Sequence, residues 1–157
     1  MSQSARTILI AALAALTVAV LGALITELGP WYRNLRKPSW QPPDWLFGPV
    51  WTSIFALVAL SGVLYWWSDA SMPQRERMLA AFAGNGFLNV LWSLLFFRLK
   101  RPDWALIEVA FLWLSIVLMM ASVAGKSKSA LFLLAPYLCW VGFAAYLNFT
   151  IVRLNSY

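Results

Sequence analysis

Apolar residues in this chain run in five nearly unbroken stretches, separated by short segments that hold most of the charge. The stretches cover residues 8–28, 47–67, 78–97, 103–124 and 130–152. Each is long enough to cross roughly 30 Å of hydrocarbon at about 1.5 Å per residue. Strands of a membrane barrel would be shorter and would alternate apolar with polar positions. The pattern therefore predicts an all-α integral membrane protein, a single transmembrane domain of five spanning helices over residues 1–157. The first run follows Arg6 as a signal peptide would. Its apolar core is too long for such a segment and no cleavage site follows, so it is expected as a retained helix.

The connections are unequal. Residues 68–77, 98–102 and 125–129 are short links, whereas 29–46 is long and unusual. Pro30, Pro38, Pro42 and Pro43 exclude one regular helix there. Trp31, Tyr32, Trp40 and Trp45 are too large and apolar for a solvated linker. This segment is expected to fold as a lid over the mouth of the bundle. The second spanning helix is expected to begin near Pro49, since proline suits a first helical turn.

Composition agrees with lipid as the solvent. Of 157 residues, 62% are hydrophobic and 11% charged, with a mean hydropathy of +0.71. A soluble domain of this size needs more surface charge. The net charge of +6 does not imply nucleic acid, because the basic residues sit in clusters flanking the apolar runs. Arg33, Arg36, Lys37, Arg98, Lys100, Arg101 and Arg153 fall on one side of a five-span path. Arg6, Arg75, Arg77, Lys126 and Lys128 fall on the other. The imbalance orients the long loop towards the cytoplasm. The single Cys139 rules out an internal disulfide. With no histidine, the chain lacks the commonest metal and haem ligand and the usual general base.

Chemistry must therefore come from aromatic and amide groups. Trp31, Trp40, Trp45, Trp66, Trp67 and Trp104 lie near span ends, where an interfacial aromatic belt explains most of them. Trp51, Trp92, Trp113 and Trp140 lie within spans, where an indole N–H needs a partner or a cavity; lipid contact or packing suffices for Trp113. Asn85, Asn89 and Ser93 form one stripe at i, i+4 and i+8, which must face protein rather than lipid. Interhelical hydrogen bonding and ligand contact are both open to it. Glu108 is the one acid well inside a span, and an intramembrane acid is a functional candidate or a structural hydrogen-bonding group. In an up-down path Trp51, Trp92, Glu108 and Asn148 share the half of the membrane beneath the long loop, with Asn89 and Trp140 near the middle. An aromatic, amide-lined cavity under an aromatic roof is a site for a hydrophobic ligand. Ala11, Ala15, Ala19 and Ala23 in the first run, and Ala80 and Gly84 in the third, permit close helix packing or a share in a dimer.

The segment WYRNLRKPSWQPPDWLFGPVWT, residues 31–52, resembles the translocator protein family, also called tryptophan-rich sensory proteins or peripheral benzodiazepine receptors. FLNVLWSLLFF (87–97), PYLCW (136–140) and AAYLNFTIVRLN (144–155) carry the resemblance further, and bacterial members are the better match. The resemblance implies five transmembrane helices, homodimers, and a pocket under the first loop. It implies ligands of the porphyrin and haem type, sterols, and synthetic isoquinoline or benzodiazepine compounds, with no required cofactor. Matching motif positions gives Tyr32, Pro42, Trp51, Asn89, Trp92 and Trp140 as pocket residues, with Ala144 and Leu147 beside them. Asn85, Ser93, Glu108 and Asn148 stand as its polar candidates. Trp51 and Trp140 match tryptophans implicated in light-dependent porphyrin breakdown, in which they would act as redox partners of the excited ring. One departure concerns the sterol pattern of animal members. Leu147, Phe149 and Arg153 occupy its place, with phenylalanine for the central tyrosine, which argues against sterol as the natural ligand.

Three functions follow as expectations: a membrane receptor or sensor for tetrapyrroles, a porphyrin-degrading enzyme, and a transporter of lipophilic ligands. The absence of deep basic residues and of inverted repeats argues against an ion pump. The partners expected are the lipid bilayer, a hydrophobic small molecule and a second copy of the chain. The inner membrane of a bacterium is the default location, with the outer membrane as the alternative.

Overall fold

The computed structural model describes residues 2–156. Five long helices carry the five apolar runs, and no strand occurs among the described residues. They are α1 (Gln3–Ile25), α3 (Asp44–Trp66), α4 (Met72–Ser93), α5 (Pro102–Ala124) and α6 (Lys128–Asn155), with α2 (Pro30–Asn34) as a short helix in the first loop. Length and hydropathy suit all five for crossing a bilayer. The chain is thus an integral, multi-pass membrane protein.

Local signals explain the ends. Ser2 accepts from the Ala5 N–H at 3.2 Å and starts α1. A capping box of Ser71 and Gln74 starts α4 in a polar turn, so this helix begins six residues before the apolar run at 78. Ser127 accepts from the Ala130 N–H at 3.2 Å and starts α6. The start of α3 differs from expectation. It lies at Asp44, with Pro43 as the N-cap, and Pro49 is inside the helix. Pro42 and Pro43 hold the chain extended up to that point, so they set the boundary, and Pro49 only deletes one later backbone donor.

Neighbouring helices pack in the ring order α1, α3, α6, α5, α4, and α4 returns to α1. The two ends of this ring differ. At the end away from the first loop, Tyr65, Met78, Met119, Val123, Ala130 and Leu134 fill the centre, and the Ser61 hydroxyl donates to the Ala130 carbonyl at 2.8 Å. At mid-depth a polar network joins three helices. The Tyr137 hydroxyl donates to Asn85 Oδ1 and accepts from Asn89 Nδ2, each at 3.1 Å. Asn85 Nδ2 donates to Ser115 Oγ at 2.8 Å. The half nearest the first loop is hollow.

The first loop covers that hollow end. The Tyr32 hydroxyl donates to Asp44 Oδ1 at 2.8 Å, and Gln41 Nε2 donates to both, at 3.3 and 3.1 Å. Burial, and then the adjacent Asp44, push the Tyr32 hydroxyl above the usual tyrosine range, so it stays protonated and keeps donating. Asn155 fastens the loop to the end of α6. Its Oδ1 accepts from the Arg36 N–H and its Nδ2 donates to the Arg36 carbonyl, both at 2.9 Å. Trp40 stacks on Tyr146 with centroids 5.2 Å apart. Trp31 packs edge-on against Phe96 at 6.0 Å. Trp31 and Trp40 are therefore parts of the folded loop and the exposed Trp45 borders the hollow, whereas Trp67 and Trp104 are exposed near helix ends as a belt requires.

Candidate ligand cavity

The hollow half encloses a cavity of about 510 Å³, within the roughly 300–1,000 Å³ common for small-molecule sites. Its walls come from α1, α3, α4 and α6, and its roof from Tyr32 and Gln41 of the first loop with Asp44 and Trp45 at the start of α3. No residue of α5 lines it.

Each wall has its own character. α1 contributes Ala19, Gly22, Ala23 and Thr26, at i, i+3, i+4 and i+7, a single face of small residues. They leave room where bulky side chains would fill it. α3 contributes Phe47, Trp51 and Phe55, and Trp51 stacks on Phe55 at 5.4 Å. α6 contributes Trp140, Ala144, Leu147 and Asn148. Trp140 lies edge-on to Trp51 at 6.5 Å and to Phe47 at 5.7 Å. α4 contributes Asn89, Trp92, Ser93, Phe96 and Phe97. Its last turn widens into a π-helix, Leu94–Arg98, closed by the Leu99 N–H to the Leu94 carbonyl at 2.9 Å. That wider turn lets the consecutive Phe96 and Phe97 both reach the cavity, and π segments often occur at functional sites.

Most of the wall is hydrocarbon and aromatic ring, with few polar atoms. Two of those are notable. The indole N–H groups of Trp92 and Trp140 are buried and have no acceptor within the protein, and the buried Gln41 Oε1 has no donor. A buried donor left unpaired costs free energy unless another molecule accepts from it. The cavity thus offers flat aromatic faces, and two of the rings that line it carry buried, unpaired N–H groups. Among the described residues no group of histidine, cysteine, aspartate and glutamate could hold a metal ion.

Of the residues singled out from sequence, Tyr32, Trp51, Asn89, Trp92, Trp140, Ala144, Leu147, Ser93 and Asn148 line this space. Pro42, Asn85 and Glu108 do not. Pro42 shapes the chain entering α3. Asn85 lies one turn deeper than Asn89 and is engaged by Ser115 and Tyr137. Glu108 is only 6% exposed, but it sits on α5, behind the wall, and neither of its carboxyl oxygens has a partner within the protein. With its amide oriented to satisfy both groups, Asn148 donates to the Pro102 carbonyl at 3.0 Å and accepts from the Leu106 N–H at 3.1 Å. It therefore ties α6 to the first turn of α5 while bordering the cavity.

Sequence reasoning missed Gln41, Asp44, Phe47, Phe55, Phe96, Phe97 and the face of α1. The π turn has no sequence signature. The α1 face was legible as small residues at helical spacing, but the same spacing serves close packing. In the sterol-type segment, Leu147 faces the cavity, whereas Phe149 is exposed with the Arg153 guanidinium 5.6 Å from its ring centre. The three positions do not form one surface.

Comparison with known proteins agrees with the motifs. The TspO/MBR family matches residues 9–154. The tryptophan-rich protein TspO of Chlorobaculum tepidum is 44% identical over 125 residues, covering 80% of this chain and 79% of that protein. The tryptophan-rich protein TspO of Archaeoglobus fulgidus is 37% identical over 150 residues, covering 92% and 94%. The human translocator protein is 31% identical over 126 residues, covering 80% and 75%. A family match over nearly the whole chain, together with these relatives and the five-helix bundle, places this protein in the TspO/MBR family.

Proposed function

We propose that the protein is a membrane receptor for a planar, lipophilic ligand of the tetrapyrrole class, held in the cavity beneath the first loop. The observation that carries this reading is the pair of unpartnered indole N–H groups, Trp92 and Trp140, in a largely aromatic wall. A flat conjugated ring can stack on or abut Trp51, Phe55 and Phe96, and its polar substituents can accept from the two indoles once these side chains turn their buried N–H groups towards it. Asn89 and Ser93 supply further polar contacts at the floor. The roof places Asp44 and Gln41 beside the ligand's outer edge, with Lys37 above the Tyr32 ring at 3.5 Å. The first loop acts as the lid, and the protein works as a sensor or in regulating or moving its ligand, with a second copy of the chain as the expected partner.

The test is equilibrium titration of the purified protein with protoporphyrin IX, haem and cholesterol, read by tryptophan quenching. Saturable binding of a tetrapyrrole that weakens in Trp140→Phe, which keeps the ring but loses the N–H, supports the reading. Binding indifferent to both Trp140→Phe and Trp92→Phe sinks it.

A second reading has its own support. Trp51 and Trp140 stand edge-to-face at 6.5 Å in one wall, close enough for both to touch a single bound ring. Such a pair could exchange electrons with a photoexcited porphyrin, giving light-dependent degradation. Illumination of the bound complex tests it. A product that persists in the Trp51→Phe, Trp140→Phe double variant removes these residues from the chemistry.

A further inference from the structure

We propose that the groove between α3 and α6 is a lateral portal, through which the ligand passes between bilayer and cavity, with the Trp140 indole as its gate. This rests on the reading that the cavity holds a lipophilic ligand. On the outer face of the bundle, Pro49, Val50, Ser53, Pro136, Cys139 and Phe143 line an open apolar groove. Trp140 lines this groove and also lines the cavity. One side chain therefore stands between the bilayer-facing hollow and the internal one.

Three features suit that side chain to move. Its N–H has no acceptor within the protein, so turning the ring breaks no hydrogen bond. It is held by apolar contacts, among them the rings of Phe47 at 5.7 Å, Trp51 at 6.5 Å and Phe143 at 5.4 Å. Both helices beside it contain an interior proline, Pro49 in α3 and Pro136 in α6. Each removes one backbone hydrogen bond next to the groove, and Pro136 lies one turn before Trp140. The roof is a poorer route. Asn155 clamps Arg36 with two hydrogen bonds, and Tyr32, Gln41 and Asp44 form a second latch, so opening upward breaks several polar contacts. A ligand dissolved in lipid also arrives from the side.

An obstruction in the groove, outside the bound state, alters the barrier and not the two end states. It must slow entry and exit by the same factor and leave affinity unchanged. Ser53 and Cys139 are exposed in the groove and lie outside the cavity wall. The full-length protein in nanodiscs, with protoporphyrin IX as probe, is followed by stopped-flow quenching. In Ser53→Phe and Cys139→Phe, association and dissociation rates should both fall about tenfold or more, roughly 1.4 kcal/mol of barrier, with Kd unchanged. Normal rates with normal Kd overturn the portal and leave the cavity reading intact. A change in Kd carried by one rate alone puts the ligand in the groove itself and also overturns it. Absence of saturable binding to the unaltered protein removes the cavity reading instead. Alkylation of the folded protein at Cys139, its single cysteine, guards against a folding defect. A pyrene maleimide should slow both rates, N-ethylmaleimide should not, and Cys139→Ser should be insensitive to either. Equal rates after both reagents refute the portal.

Discussion

Removing the Tyr137 hydroxyl offers a direct measure of what holds the bundle together. The side chain is 1% exposed and joins α6 to two asparagines of α4, of which Asn85 in turn reaches Ser115 of α5. Tyr137→Phe keeps the ring and its edge contact with Trp51 at 6.1 Å, and deletes only the oxygen. Two hydrogen bonds vanish, leaving Asn85 Oδ1 without its donor and Asn89 Nδ2 without its acceptor. Interhelical hydrogen bonds in membranes average about 0.6 kcal/mol and reach about 1.7, so the pair should contribute about 1–3 kcal/mol. For a chain of this length that corresponds to a fall in Tm of about 3–10 °C. Circular dichroism during thermal unfolding in one fixed detergent reads the shift. The Asn85→Leu variant should lose a similar amount, and the double variant less than the sum, because both changes break the same network. A Tyr137→Phe protein as stable as the parent, or strict additivity with Asn85→Leu, would refute the view that this network ties the three helices.

Three further outcomes are expected. Trp51→Ala and Asn89→Ala should each weaken protoporphyrin IX binding by about 5- to 150-fold, the effect of about 1–3 kcal/mol for a well-packed contact, while the helical signal is retained; titration checks this. Asn155→Ala should release the first loop, since Arg36 loses both of its bonds to α6; faster hydrogen exchange over residues 30–41 with little change across α5 is the expected result, read by mass spectrometry. Glu108→Gln should leave affinity within about twofold, because α5 stays behind the cavity wall. It should not lower Tm, because neither carboxyl oxygen has a protein partner to lose.

The five helices could be read from the chain because in lipid every backbone polar group must be satisfied within its own segment, so a long apolar run has one conformation open to it. Depth was legible for a related reason. Up-down connections fix which ends share a membrane face, and Trp51, Trp92 and Asn148 do fall in one half around a hollow. Rotation about each helix axis was not legible. Glu108 has the right depth and the wrong azimuth: it belongs to the one spanning helix that never reaches the cavity. Asn85 and Asn89 are neighbours on one stripe, yet one serves the hydrogen-bond network alone and the other also borders the cavity. That division depends on where Tyr137 arrives from another helix. The π turn that brings Phe96 and Phe97 into the wall is set by how α4 meets the α4–α5 connection, where Arg101 N–H reaches the Leu95 carbonyl at 2.9 Å. Local composition does not encode it.

The division into a packed end and a hollow end follows from what a bilayer offers a helix bundle. Lipid tails are as apolar as leucine, so burying an apolar side chain between helices gains little over leaving it in lipid. Adhesion must come from close packing and polar contacts. Such polar contacts hold every level of the bundle: Ser61 on Ala130 at the packed end, the Tyr137 network at mid-depth, Asn148 on the first turn of α5 at the cavity's border, and Asn155 on the loop. In the wall these bonds fall to Asn89 and Asn148, and the aromatic rings take no part in them. Small residues on α1 leave space, large rings on α3, α4 and α6 line it, and Trp92 and Trp140 can keep unpaired N–H groups. Rings that carried interhelical hydrogen bonds would have to break them to admit a ligand. Here admission displaces apolar contacts of the rings, which a bound aromatic ligand restores.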